Sequence, residues 1–94
     1  MTKYTKDPNA KLDYQIDWSD WLGADTIATS TWSRSGLDTD LIISTSPPAS
    51  STTTAATVWL EGGREGSSYR VTNRITTAGG RINDRSFNLT IREQ

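Results

Sequence analysis

A strict period of two in the segment 69–76 constrains the fold of this chain more than any other feature. The even positions hold Arg or Thr, and the odd positions hold Tyr69, Val71, Asn73 and Ile75. Successive side chains of a β-strand point to opposite faces of a sheet, so this alternation predicts one buried face and one solvated face. The segment is therefore predicted to be a β-strand that packs one side against a core.

Similar strands are predicted on both sides of this segment. The first alternates apolar residues with Asp and Gln from Leu12 to Trp18, and the last places Phe87, Leu89 and Ile91 inward. Shorter strands are predicted at 25–33, 41–45 and 53–60. The β-branched and turn residues that bound these segments recur at the spacing typical of short strands.

Helical periodicity is nearly absent from the sequence. A single helical turn is predicted after Trp18 and ends at Gly23, and Gly79 and Gly80 supply the hairpin turn before the last strand. Six to seven short strands predict an all-β fold, a two-sheet antiparallel sandwich. Residues 10–94 are predicted to form this single domain, and residues 1–9 a flexible polar N-terminal arm.

Large aromatic side chains supply the anchors that a small core needs. The chain has 94 residues, of which 33% are hydrophobic, so each large apolar side chain contributes much of the core. The predicted structural anchors are Trp18, Trp21, Trp32, Trp59 and Tyr69.

The composition excludes several classes of chemistry. The chain contains no Cys and no His, which removes thiolate nucleophiles and the commonest transition-metal ligand. Asp38 and Asp40 lack the surrounding Asp-rich loop of a calcium site and are predicted to be turn residues. We therefore expect no catalytic residue, metal, cofactor or small-molecule substrate, and the chain is predicted not to be an enzyme.

Charge and hydropathy also exclude whole classes of partner. The net charge of −1 gives no bulk attraction for nucleic acid or for anionic lipid. No apolar run approaches the roughly 18–20 residues of a membrane helix, and the start of the sequence lacks the apolar region of a signal peptide. We expect a soluble protein, made in the cytoplasm, that binds neither nucleic acid nor a membrane.

Two aromatic residues and two carboxylates lie close together at the end of the first strand. Trp18 and Trp21 could stack on sugar rings, with Asp17 and Asp20 binding hydroxyl groups, or they could close one end of the core. The structural interpretation is favoured, because so small a core needs its large aromatics. A glycosidase pair is disfavoured, because the domain is too small for a substrate groove.

Arginine is concentrated in the last third of the chain. Arg70 and Arg74 share a strand face, and the hairpin that follows is predicted to bring Arg81 and Arg85 near them. This cluster could bind carboxylates on a neighbouring protein, because the guanidinium group suits bidentate contacts at interfaces. It could equally be a solvated face whose charges prevent aggregation. Most Asp residues lie in the first half, an asymmetry that suits head-to-tail contacts between copies or neighbours.

The segment from Gly66 to Val71 resembles the corner before strand F of immunoglobulin and fibronectin type III domains. In those domains a Tyr hydroxyl, here that of Tyr69, bonds to nearby backbone. The resemblance implies an Ig-like or fibronectin III-like sandwich. Val71 stands where an antibody domain has its second Cys, and Trp32 precedes the expected strand C, so an antibody-type domain is excluded.

A second resemblance covers almost the whole chain through a series of short motifs. In order they are Lys6-Asp7-Pro8, Leu12-Asp13-Tyr14, Asp17-Trp18-Ser19-Asp20-Trp21-Leu22, Thr52-Thr53-Thr54-Ala55-Ala56-Thr57, Val58-Trp59-Leu60, Tyr69-Arg70-Val71-Thr72-Asn73-Arg74-Ile75-Thr76-Thr77, Gly79-Gly80-Arg81 and Asp84-Arg85-Ser86. In this order they resemble small tail-region virion proteins of tailed bacteriophages, of the fibre–tail adaptor type.

This resemblance implies a non-catalytic virion structural protein that docks in a phage tail or at the fibre–tail junction. The implied partners are other tail or fibre proteins, with self-association in the assembled particle as a further expectation. The implied location is the virion, assembled in the host cytoplasm. The alternatives are a carbohydrate-binding module or an Ig-like module that binds host surfaces, and exposed coplanar Trp side chains would favour the first of these.

Overall fold

The strands and the helical turn lie close to where the periodicity places them. A computed structural model of the chain describes residues 2–93 and, within that range, contains eight strands and one short helix. The elements are β1 (Thr2–Lys6), β2 (Lys11–Asp17), α1 (Ser19–Leu22), β3 (Ile27–Ser35), β4 (Leu41–Ile43), β5 (Ser50–Ser51), β6 (Ala55–Gly62), β7 (Ser68–Thr77) and β8 (Ile82–Ile91).

The strands form two sheets. The first sheet has the order β1-β8-β7-β3, and the second has the order β2-β6-β4, with the short β5 also paired to β6. Neighbouring strands are antiparallel except for β1, which runs parallel to β8. The nearly all-β, two-sheet architecture is confirmed. The expectation of six to seven strands, all antiparallel, is corrected to eight strands with one parallel pair.

The extra strand comes from the segment expected to be a flexible arm. Residues 2–6 form β1, whereas Met1 lies outside the described residues. The Tyr4 ring packs 5.1 Å from the Tyr14 ring and 5.2 Å from the Phe87 ring. The backbone ladder with β8 and this aromatic contact hold a segment whose polar composition suggested mobility.

The buried side chain of Lys6, the last residue of β1, binds backbone carbonyl groups nearby. Its side chain is fully buried, and Nζ donates hydrogen bonds to the carbonyl oxygens of Asp7 at 2.9 Å and Gly62 at 2.7 Å. Burial lowers the pKa of this ammonium group, because the charged form loses hydration. The two carbonyl contacts replace part of that hydration and tie β1 to the end of β6.

The core lies between the sheets and follows the predicted alternation. The larger cluster contains the inward side chains of β4, β6, β7 and β8, namely Leu41, Val58, Leu60, Tyr69, Val71, Phe87, Leu89 and Ile91. The smaller cluster, next to α1, contains Trp18, Leu22, Ile27 and Ile75. The fully buried or nearly buried state of these residues agrees with the period of two in the sequence.

The predicted Trp anchors occupy different environments. Trp18 is fully buried, and Trp21 and Trp32 are half-buried against the core clusters. Trp59 is not a core anchor. Ala56, Val58 and Leu60 fill the inward positions of β6, so Trp59, at the opposite phase of the strand, lies on the outer face of the second sheet.

The Tyr69 hydroxyl makes the corner contact that the sequence predicted. It accepts a hydrogen bond from the backbone N–H of Arg64 at 3.1 Å, five residues upstream, and donates one to the Asp38 carboxylate. Burial of the ring, followed by the Asp38 contact, raises the pKa of Tyr69. The hydroxyl thus joins the turn after β6 to the loop before β4.

We expect Tyr69→Phe to lower the free energy of unfolding by about 1–3 kcal/mol, because it removes two part-buried hydrogen bonds, one of them to a carboxylate. Urea denaturation followed by Trp fluorescence measures this change. Tyr14→Phe is the matched control, because the Tyr14 hydroxyl is buried without a hydrogen-bond partner among the described residues. Its removal should leave stability unchanged or slightly higher. Equal effects of the two substitutions would show that the Tyr69 hydroxyl does not hold the corner.

Candidate docking surfaces

The four arginines predicted to form one face lie in two separate places. Arg70 and Arg74 are exposed on the outer face of the first sheet, as predicted for one strand face. Arg85 pairs in register with Asn73, which is fully buried, so Arg85 has the inward phase of β8. Arg81 follows the β7–β8 turn beside α1. The single cluster is therefore wrong, because the alternation of β8 places Arg85 on the opposite face from Arg74.

Arg85 binds the segment that contains α1. Its guanidinium donates to both oxygens of the Asp20 carboxylate at 2.9 and 3.2 Å, and to the backbone carbonyl of Asp17 at 3.0 Å. The same group lies over the Trp18 ring, 4.5 Å from its centre. A bidentate ion pair combined with a cation–π contact is a firm attachment, so this arginine holds the end of the sandwich together.

Arg81 makes a second attachment, at the C-terminal end of the helix. Its Nε donates to Asp25 at 3.1 Å and its Nη2 to the Leu22 carbonyl at 2.9 Å, at the end of α1. The guanidinium also lies 4.1 Å from the centre of the Trp21 ring. Both arginines are therefore occupied by contacts within the chain.

A buried amide that sequence reasoning did not single out connects these contacts. The Asn73 Oδ1 accepts from Trp18 Nε1 at 2.9 Å, and its Nδ2 donates to Ser30 Oγ at 2.8 Å and to the Thr31 carbonyl at 2.9 Å. The signal was present, because Asn73 is the polar residue at an inward position of the clearest strand. A polar side chain at such a position needs partners within the core.

The aromatic and acidic residues near α1 do not form a sugar site. Trp18 is fully buried, and its ring meets that of Trp21 at 66°, so the pair offers no flat platform. A hydrogen bond from the Ser19 N–H lowers the pKa of Asp17, and the Arg85 contact lowers that of Asp20. Both carboxylates are held in the ionised form, whereas a general acid needs a raised pKa.

Asp38 and Asp40 are turn residues, as predicted. The Asp40 N–H donates to Asp38 Oδ1 at 3.0 Å, and Arg64 pairs with Asp40 at 3.2 Å. The Tyr69 hydroxyl lowers the pKa of Asp38. Residues 2–93 contain no group of three or more side chains that could hold a metal ion.

The outer face of the first sheet is rich in hydroxyl groups. Cross-strand hydroxyl pairs join β7 to β8, Ser68 with Thr90 at 3.0 Å and Thr72 with Ser86 at 2.8 Å. A row of residues in register crosses all four strands and lines a shallow groove of about 420 Å³: Lys3, Asn88, Arg70 and Ser35. Two cations thus lie on either side of Asn88.

The outer face of the second sheet has a different character, which sequence reasoning missed. Asp13 pairs in register with Trp59, and Ile42, whose side chain is half exposed, pairs with Glu61. Lys11 forms an ion pair with Glu61 at 3.3 Å. The sequence of β6 could have predicted this, because its three inward aliphatic residues leave Trp59 on the outer side of the strand. This face combines exposed apolar surface with carboxylates.

Comparison with known protein families identifies the role of such a molecule. The family described as podophage GP4 fiber-tail adaptor protein gp77 matches residues 6–90. The chain belongs to this family. Membership confirms the resemblance seen in the sequence and makes the chain a bacteriophage tail-fibre adaptor with a structural role. It also implies a location in the virion and binding to other tail or fibre proteins.

The remaining comparisons add little to this assignment. No individually curated protein matches the chain. Within the described part of the chain, no helix has the length and apolar character needed to cross a membrane.

The Asp25 carboxylate, which binds Arg81 beside α1, should make the stability of the protein depend on pH in the acid range. Hydrogen bonds from the Thr77 hydroxyl and the Thr26 N–H, with further bonds from Gly79 and Arg81, lower its pKa to about 2. A folded-state pKa below the ordinary value of 3.8 adds stability above about pH 4, and this stability is lost as the pH falls through 2.

We expect the urea midpoint of the protein to fall between about pH 4 and pH 2. Asp25→Asn should lower the midpoint at neutral pH and make its dependence on acid shallower, because the ionised acceptor is gone. Asp13→Asn, which removes the same charge from an exposed strand position, is the control. Parallel pH profiles for the wild type and Asp25→Asn would contradict the role assigned to Asp25.

Proposed function

We propose that this protein is a non-catalytic adaptor that joins a fibre to the phage tail by protein–protein docking. The family match across residues 6–90 is the observation that carries this proposal. Two outer sheet faces with polar and apolar groups support it, because protein interfaces combine such groups. The assembled particle can use weak contacts, since many copies of a contact act together.

We infer further that the sandwich is Ig-like. The order β2-β6-β4 corresponds to strands B, E and D, and β3-β7-β8 to strands C, F and G. The Tyr69 hydroxyl contact at the start of strand F supports this interpretation. In this alignment Trp32 belongs to strand C, which corrects the expectation that it precedes that strand.

The geometry around α1 favours docking over catalysis and over sugar binding. The carboxylates near the helix are ionised and engaged in hydrogen bonds, and the two Trp rings are not coplanar. No specific observation favours a carbohydrate-binding or host-surface-binding module.

Among the four predicted partner-binding arginines, Arg70 is the best candidate for contact with another protein. Arg74 forms a bidentate pair with Asp84 at 2.8 and 3.0 Å, and Arg81 and Arg85 bind the α1 segment. Arg70 is exposed and forms no ion pair among the described residues. An exposed guanidinium of this kind can bind a carboxylate on another protein.

We expect phage particles assembled without this protein to have tails that lack fibres, because the joining module is missing. Electron microscopy of purified particles measures the number of fibres on each tail. Addition of the purified folded protein should restore fibre attachment, and addition of buffer alone is the control. Normal fibre numbers in its absence would overturn the adaptor role. Retention of the protein on polysaccharide, lost in Trp21→Ala, would instead support the carbohydrate-binding alternative.

A further inference from the structure

We propose that the outer face of the first sheet in one copy docks onto the outer face of the second sheet in another copy. This contact between copies goes beyond the adaptor role and does not depend on it. The two faces lie on opposite sides of the sandwich and differ in sequence, so the contact is heterologous and head-to-tail.

The first face carries positive charge that no carboxylate among residues 2–93 neutralises. Lys3 and Arg70 lie in one register row on either side of Asn88, and neither has a carboxylate partner among the ion pairs of residues 2–93. Two strand spacings separate them, which is about 10 Å. Arg74 on the same face is already paired with Asp84, so these two residues add no net charge.

The second face carries the complementary negative charge. Asp13 and Asp17 occupy outward positions of β2, four residues or about 13 Å apart. Asp17 remains ionised, because the Ser19 hydrogen bond lowers its pKa. Lys11 and Glu61 neutralise each other on the neighbouring positions.

The second face also has an apolar centre that a partner can cover. Trp59 lies beside Asp13 in the register of β2 and β6, and the half-exposed Ile42 pairs with Glu61 on the same face. An arginine placed over this patch can contact the Asp13 carboxylate and the Trp59 ring together. Arg70 meets this requirement, because its side chain is exposed on a face with small hydroxyl side chains around it.

The strength expected for the contact between copies determines the protein and salt concentrations at which association can be measured. Exposed ion pairs contribute about 0–1 kcal/mol each and are weakened by salt, so one such contact is weak in dilute solution. Covering Trp59 and Ile42 adds the apolar term that exposed charges lack. Association is therefore expected at high protein concentration and low salt, and it should decrease as salt is added.

Sedimentation equilibrium of the purified protein at low salt tests the proposal with a charge-exchange design. The wild type should associate beyond the dimer, because each copy keeps one free face of each kind. Arg70→Glu and Asp13→Arg should each weaken association about tenfold or more, because each places like charges opposite one another. A mixture of the two variants should associate again, as should the double variant, because every contact then pairs opposite charges.

Arg64→Glu is the matched control, because it reverses an exposed charge in the turn after β6, outside both faces. It should associate as the wild type does, and circular dichroism should show that every variant is folded. A wild type that stays monomeric at the highest concentration and lowest salt would overturn the proposal. So would single variants that associate as strongly as the wild type, or a mixture that does not recover. Fibre attachment to particles is measured separately, so failure of this contact leaves the adaptor role intact.

Discussion

The buried Asn73 amide is the interaction on which the α1 end of the protein depends. It joins the Trp18 indole to β7 and binds Ser30 and the Thr31 backbone of the neighbouring β3. Loss of such an amide leaves buried donors and acceptors unpaired, at a cost of about 1–3 kcal/mol for each group. Because Trp18 is held in place, α1 can pack on the sandwich. Arg81, in the turn before β8, and Arg85, in β8, can then bind the α1 segment.

This arrangement separates the charges of the protein into two groups. At the α1 end, Arg81 and Arg85 are neutralised by carboxylates and stacked on indole rings, so they stabilise the fold. On the outer face of the first sheet, Arg70 and Lys3 retain their charge. An adaptor needs a rigid body and exposed surfaces that recognise other proteins. Arg81 and Arg85 serve the first need, and we propose that Arg70 serves the second.

Most strands of the fold could be predicted from the sequence, whereas only some of the candidate docking residues could. The alternation around Tyr69 and Phe87 predicted the central strands and their buried faces, because side-chain direction in a strand is set locally. β1 could not be predicted, because its polar residues are held by backbone pairing to a strand more than 80 residues later. The arginine cluster was wrong at Arg85, although the phase of β8 already assigned that residue to the inner face.

The sequence by itself determined the all-β class, the inward residues of β7, the helical turn at Gly23 and the adaptor family. These follow from local geometry and from motifs that can be read in order along the chain. The tertiary structure alone decided which charges are neutralised, that Lys6 is buried against Gly62, and that Trp59 lies beside Asp13. These features depend on which distant strands become neighbours, and strand pairing is set by packing of the whole sandwich.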